Sequence, residues 1–343
     1  MCGLCGIALG QLTKRRGREM DMLADTFSRL LLLSEHRGPY ATGAAWVKTD
    51  GTYRIEKTPL PARQFLQTAC YADCLNEVTG DVTMLMGHTR WPTRGSIHNP
   101  TNNHPLWAAP ILLSHNGVVS EVQRHFRRLQ LPRTAEVDSE LLLRLAQHHA
   151  GSDGLDLLGF LADVAPLDGR ISLALVATTR PDEVILLKGN MPLEVCIHPN
   201  RQVLCYASEA RILELALSGD AGWVPLPLGR GEGLIVNTQA WTLRRVPFVF
   251  QGLHRRRARL YWRFHTKGRC MMTRQEFEAW AAAHGWTRDK WGHYHKGDRR
   301  FKLSKVAVRL EAKAGDAGWV RLRSGYFSRL WITEKGKLGG LTF

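Results

Sequence analysis

Apolar positions along the chain fall into two periods. The stretch G-L-C-G-I-A-L-G at 3–10 is a continuous run of small and apolar residues bounded by turn formers, the pattern of a buried strand. M-L-A-D-T-F-S-R-L-L-L-L-S-E-H at 22–36 instead repeats at helical spacing. I-L-L-S at 111–114 reads as a buried strand, and L-L-L-R-L-A-Q-H-H at 141–149 as a helix with Asp138 or Ser139 as its N-cap. Four further strand-like runs follow, I-S-L-A-L-V-A-T-T (171–179), E-V-I-L-L-K-G (183–189), V-L-C-Y-A-S-E (203–209) and G-L-I-V-N (233–237), separated by Gly, Pro, Asn and Asp. Y-A-S-E-A-R-I-L-E-L-A-L at 206–217 gives a strand, a turn and a helix. Periodicity alone therefore predicts a mixed α+β body.

Past residue 243 the pattern changes. A short helix is predicted over T-R-Q-E-F-E-A-W-A-A-A-H-G, with Thr273 and Glu276 as a capping box and Gly285 at its end. Strand-like runs R-R-F-K-L-S-K-V-A-V-R-L-E-A-K, W-V-R-L-R-S-G-Y-F and R-L-W-I-T-E-K-G-K-L come after it. Charge marks the same division. The chain of 343 residues has a net charge of +16, yet residues 1–243 hold 23 Lys and Arg against 24 Asp and Glu, while residues 244–343 hold 24 against 7. The expected organisation is a near-neutral domain over 2–243, a basic linker over 244–260, and a small basic α+β domain over 261–343. Aromatics recur among the tail's cations, and Trp286 and Trp291 are candidates for stacking on nucleic-acid bases. A solvated face or a surface for an acidic protein is the alternative. No apolar run approaches the roughly 20 residues that span a bilayer, and no secretory signal opens the chain, so a soluble, cytoplasmic protein without membrane partners is expected.

The second residue raises a chemical question. Removal of Met1 before a small side chain would leave Cys2 with a thiol and a free α-amine on one residue. The amine titrates near 7.7–8.0 and the thiol near about 8.5, so the amine can accept the thiol proton directly or through one water. Cys2 and Cys5 also form a C-x-x-C, which can be a zinc half-site or a redox pair. The remaining cysteines, Cys70, Cys74, Cys196, Cys205 and Cys270, supply no second pair of that spacing. Cys5 is therefore expected as a small buried side chain, and no metal or cofactor is expected.

Four other stretches bear on Cys2: E-H-R-G-P-Y-A-T-G-A-A-W-V (35–47), M-G-H-T-R-W-P-T-R-G-S-I-H-N-P-T-N-N-H-P-L-W (86–107), I-L-L-S-H-N-G-V-V-S-E (111–121) and V-D-S-E-L-L-L-R-L-A-Q (137–147). With M-C-G at the start, their content and order resemble the glutaminase domain of class II glutamine amidotransferases, similar to that of glucosamine-6-phosphate synthase, over residue 2 to about 240. The resemblance implies the four-layer αββα sandwich of N-terminal-nucleophile hydrolases. It implies Cys2 as the nucleophile, with the Asn116 side-chain amide and the Gly117 N–H as oxyanion donors. Arg90 would fork onto the α-carboxylate of glutamine and Asp138 would accept its α-ammonium. Trp91 and Thr93 would line the pocket, and Arg37 and Gly38 would lie near the nucleophile as substrate-binding residues. His88, His98, His104 and His115 are expected to hold loops together.

Taken alone, H-N-G is equally a hairpin turn, and V-D-S-E only a helix start. The sequence departs from the family at Pro92 and Arg94, where small residues and a histidine are common; Pro92 fixes φ and removes one N–H from the loop. The implied reaction is hydrolysis of the glutamine side-chain amide, with ammonia passed to an acceptor on a separate synthase or acceptor-binding protein, because the tail is too short for a synthase domain. Two alternatives stand beside it: a stand-alone γ-glutamyl amidohydrolase, and a nucleic-acid-binding protein that uses the glutaminase fold as scaffold or sensor.

Overall fold

In the computed structural model the described residues are 2–11, 15 and 17–253, together with short segments between 271 and 342. The chain divides into two units, Met1–Arg255 and Arg256–Phe343.

The first unit runs β1 (Gly3–Leu9), α1 (Arg18–Ser34), β2 (Ala41–Lys48), β3 (Tyr53–Thr58), α2 (Ala62–Phe65), α3 (Ala69–Asn76), β4 (Val82–Arg90), β5 (Leu106–Ala108) and β6 (Ile111–Val119). It continues with α4 (Val122–Leu129), α5 (Ser139–His148), the short pair β7 (Ala150–Gly151) and β8 (Gly154–Leu155), α6 (Leu157–Val164), β9 (Gly169–Ala177) and β10 (Arg180–Lys188). β11 (Glu194–His198), β12 (Val203–Ala207), α7 (Ala210–Ala216), β13 (Val224–Pro225), β14 (Glu232–Asn237) and β15 (Thr242–Pro247) complete it. One sheet has the order β13-β11-β12-β1-β4-β2-β3 and the other β15-β14-β10-β9-β6-β5. Their ladders are antiparallel.

Strand alternation explains the layers. Leu4 and Ala8 of β1 join Met84 and Met86 of β4, Leu112 of β6 and Ala174 and Val176 of β9 in a core between the sheets. Cys5, Ile7 and Leu9 point the other way, onto Leu23, Phe27, Leu30 and Leu31 of α1 and Ile212 and Leu213 of α7. Leu113 of β6 and Leu173 and Leu175 of β9 pack on Leu141, Leu142 and Leu145 of α5 and Phe160 of α6. The result is helix, sheet, sheet, helix. β1 is buried on both faces, which is why its sequence is continuously apolar rather than alternating.

The end of the body differs from the charge-based boundary. Residues 244–247 pair with β14, and Phe248, Phe250 and Leu253 are buried against β9 and β10, so 244–253 pack into the body instead of forming a linker. Arg244 and Arg245 sit on an exposed edge strand, where their charge says nothing about which unit they belong to.

In the second unit, His293–Lys296 pairs with Thr287–Arg288 and with Arg299–Lys302, and Phe327–Ile332 pairs with Ala317–Arg321 and with Leu338–Thr342. Met271–Met272 pairs with Leu310–Glu311. Of the helix expected over 273–285, only Ala282 and Gly285 are described; Gly285 has φ 76° and donates to the Ala282 carbonyl at 3.0 Å. Trp286 and Trp291 lie outside the described residues.

Candidate active site

The ends of β1, β4 and β6 and the start of α5 bring the motifs together. Cys2 precedes β1 and is half-buried. Its thiol donates to the Trp91 carbonyl at 3.6 Å, and the Trp91 N–H donates back to Sγ at 3.3 Å. Burial pushes the thiol above its ordinary value, while the Trp91 N–H, the amino terminus and Arg90 favour the thiolate and Asp138 opposes it. Cys2, Arg90, Trp91 and Asp138 thus share one electrostatic neighbourhood. Cys5 is fully buried in β1, which pushes its thiol up to about 12 and keeps it inert at neutral pH.

Asn116 lies in β6 opposite Ser172 of β9 and is 1% exposed. Its Oδ1 and Nδ2 have no hydrogen-bond partner among the described residues. Buried amides are nearly always partnered, so an idle one marks a place where a partner arrives during function or where strain is stored. Gly117 follows with φ 150°, a conformation that favours glycine, and a Cβ there would stand 1.8 Å from the Arg170 carbonyl. The turn reading of H-N-G does not apply, because all three residues continue the β6 ladder. His115 fixes this stretch: Nδ1 pairs with Ser139 Oγ at 2.8 Å and Nε2 with the Arg170 carbonyl at 3.2 Å.

Asp138 stands at the N-cap position of α5, but its side chain caps no helix N–H among the described residues. Its Oδ2 accepts the Val119 N–H at 2.6 Å instead, tying the head of α5 to the end of β6. Arg90 closes β4, is 3% exposed, and is already engaged. Nη1 donates to Asn103 Oδ1 (2.6 Å) and the Ser96 carbonyl (3.3 Å), and Nη2 to the carbonyls of Arg94 (2.6 Å) and Gly95 (2.9 Å). The guanidinium organises the loop after β4, and a substrate carboxylate on the same fork would have to exchange with those carbonyls. On that loop Trp91 is 43% exposed, with its ring edge-on to Tyr40 at 5.1 Å, and Thr93 is exposed.

Arg37 is buried beside Cys2: its Nε donates to the Cys2 carbonyl at 2.9 Å and Nη1 pairs with Glu209, while Nη2 has no hydrogen-bond partner among the described residues. Gly38 lets the backbone pass the end of β4: a Cβ there would come within 2.6 Å of the Trp91 nitrogen.

Of the four histidines, His88 and His104 stack at 4.3 Å, and His88 Nε2 donates to the His115 carbonyl at 3.3 Å. Burial holds His88 down to about 3, His104 well below its ordinary value and His115 below it too. All three are neutral; His88 and His115 bond to neighbouring segments, His104 stacks on His88 with neither ring nitrogen partnered among the described residues, and His98 is exposed. Among the described residues no group of three or more His, Cys, Asp or Glu is placed to hold a metal ion. Sequence reasoning missed Glu209 and Asn103, which hold Arg37 and Arg90 respectively.

No family model matches the chain. Glutamine–fructose-6-phosphate aminotransferase [isomerizing] of Neisseria meningitidis serogroup A is 27% identical over 203 residues, covering 57% of this chain and 30% of that protein. The protein of the same description from Aeropyrum pernix is 27% identical over 239 residues, covering 65% of this chain and 36% of the relative. The chain thus spans about a third of the length of these curated relatives. Among solved structures, glutamine phosphoribosylpyrophosphate amidotransferase from B. subtilis superposes with a TM-score of 0.53 at 19% identity, covering 72% of this chain and 49% of that one. An allosteric regulatory enzyme of purine biosynthesis superposes at 0.55, also with 19% identity and the same coverage. By sequence relatives and by fold together, the body of this chain is related to the class II glutamine amidotransferases, enzymes of the N-terminal-nucleophile hydrolase fold.

Proposed function

We propose that the chain hydrolyses the side-chain amide of glutamine, with Cys2 as nucleophile after removal of Met1. Sγ attacks the amide carbon as its proton passes to the α-amine. The tetrahedral oxyanion is held by the Asn116 amide and the Gly117 N–H, and ammonia leaves with the transferred proton. Water then cleaves the thioester to glutamate. Asp138 accepts the α-ammonium and Arg90 the α-carboxylate, the latter by exchange with the carbonyls of Arg94 and Gly95. Trp91 and Thr93 form the rim. Ammonia goes to an acceptor held by a separate protein, and the charge asymmetry of the chain supports the tail as the part that meets an anionic partner, nucleic acid included.

The observation that carries this reading is the buried amide of Asn116, without a partner among the described residues, on the strand whose Val119 N–H is held by Asp138, a group that acts on the Cys2 thiol. Purified protein supplied with glutamine is expected to release glutamate and ammonia in equal amounts, and Cys2→Ala is expected to release neither while keeping its thermal transition. An active Cys2→Ala protein would remove the nucleophile from the mechanism.

A further inference from the structure

β12 ends at Ala207, and the next two residues turn back on the nucleophile. Ser208 bonds Leu4 twice, its N–H donating to the Leu4 carbonyl and its Oγ accepting the Leu4 N–H, both at 2.8 Å. Glu209 follows at the N-cap position of α7, whose first turn offers free helix N–H groups. It caps none among the described residues. Oε1 pairs with Arg37, and Oε2 lies 3.1 Å from Nε2 of His36, whose Nδ1 is 2.8 Å from the Leu33 carbonyl. Arg37 in turn donates through Nε to the Cys2 carbonyl at 2.9 Å.

This forms a chain of contacts from α7 to the nucleophile's own backbone. The Arg37 side chain is 5% exposed, and a guanidinium that deep needs a counter-charge. Glu209 supplies it from the solvent side, with its side chain 38% exposed. Arg37 thereby has a fixed orientation from which Nε reaches the Cys2 carbonyl, and Ser208 secures the residue two further along. Cys2 needs such support because it stands before the first residue of β1 and has no ladder partner of its own.

We infer that Glu209 is a positioning residue for the Cys2 nucleophile, acting through Arg37. The inference rests on the proposed role of Cys2. Glu209 touches neither the thiol nor the place a substrate would occupy; it sets where the thiol stands. Displacement of a reacting group by about 1 Å is enough to cost on the order of 10²-fold in rate.

The test uses the full-length protein with Glu209→Gln, which removes the charge, and Glu209→Asp, which keeps the charge and shortens its reach. Glutamine turnover and the rate of Cys2 alkylation by iodoacetamide are measured on both, with thermal melting as the control. Glu209→Gln is expected to lower kcat by about 10- to 100-fold with the KM for glutamine little changed. Glu209→Asp should recover part of the loss, and Arg37→Gln combined with Glu209→Gln should be no slower than Arg37→Gln alone. The alkylation rate of Cys2 should change in Glu209→Gln by a comparable factor. Unchanged kcat and unchanged alkylation in a folded Glu209→Gln protein would overturn the inference, as would full additivity with Arg37→Gln. If the wild-type protein does not turn over glutamine, the glutaminase reading fails separately, and the alkylation arm alone decides whether Glu209 positions the thiol.

Discussion

At the residue scale, the proposed mechanism assigns attack to Cys2 and oxyanion stabilisation to Asn116. Both polar atoms of the Asn116 amide are buried and without a partner among the described residues, so in that mechanism its worth appears only when an oxyanion forms. Asn116→Ala is expected to lower kcat by about 10²- to 10³-fold and to leave the KM for glutamine nearly unchanged, as steady-state kinetics would show. A change in KM alone would make Asn116 a ground-state contact. Cys2 has the opposite problem: burial raises its thiol, and the Trp91 N–H and Arg90 only partly compensate. The thiolate is therefore a minor species at neutral pH, and alkylation of Cys2 should accelerate as pH rises through the neutral range. A flat pH profile between 6 and 8.5 would mean that the thiol is already ionised.

At the element scale, β6 and α5 frame the proposed oxyanion site. Val119 donates to Asp138, and Ser139 pairs with His115, so the head of α5 is stitched to β6 on both sides of Gly117. Gly117→Ala puts a methyl group against the Arg170 carbonyl of β9 and forces an alanine to φ 150°. Such backbone strain costs on the order of 1–3 kcal/mol. The expected outcome is a lower melting temperature together with loss of glutamine turnover; a variant with wild-type melting and turnover would show that the β6–β9 pairing yields easily.

The elements themselves were legible in the sequence because burial on one or two faces leaves a period, as in β1, α1 and α5. The motif residues were legible by type and order, but not by what their side chains touch. Asp138 reads as an N-cap and its side chain instead reaches across to β6, since a local capping pattern cannot report a donor 19 residues away. The ties of Arg37 to the Cys2 carbonyl and to Glu209, a partner 172 residues further along the chain, could not be read from a local motif. The charge boundary at 243 missed the packing of Phe248, Phe250 and Leu253, because Arg244 and Arg245 on an exposed edge strand open the basic run while three apolar side chains decide where the body ends.

For the whole molecule, the buried histidines couple folding to pH. His88 has an ordinary value near 6.5 and is held down to about 3 in the folded body, and His104 and His115 are lowered in the same direction. Unfolded chain takes up these protons as pH falls through about 6.5, while the fold refuses them. Their contribution is therefore complete above the unfolded value and is lost as pH falls below it, for His88 down to about 3 at roughly 1.4 kcal/mol per pH unit. The urea midpoint at pH 5 should fall below that at pH 7.5, and an unchanged midpoint would mean that these rings are hydrated in the fold.

The proposed reaction requires a chain that begins at Cys2 and attacks the amide carbon of glutamine. Intact-mass and peptide-mass measurement after treatment with an electrophilic diazoketone analogue of glutamine tests this most directly. The expected result is one adduct per chain, on an N-terminal Cys2 in protein that has lost Met1, and protection from labelling by excess glutamine. Labelling elsewhere, or full labelling of chains that retain Met1, would contradict it.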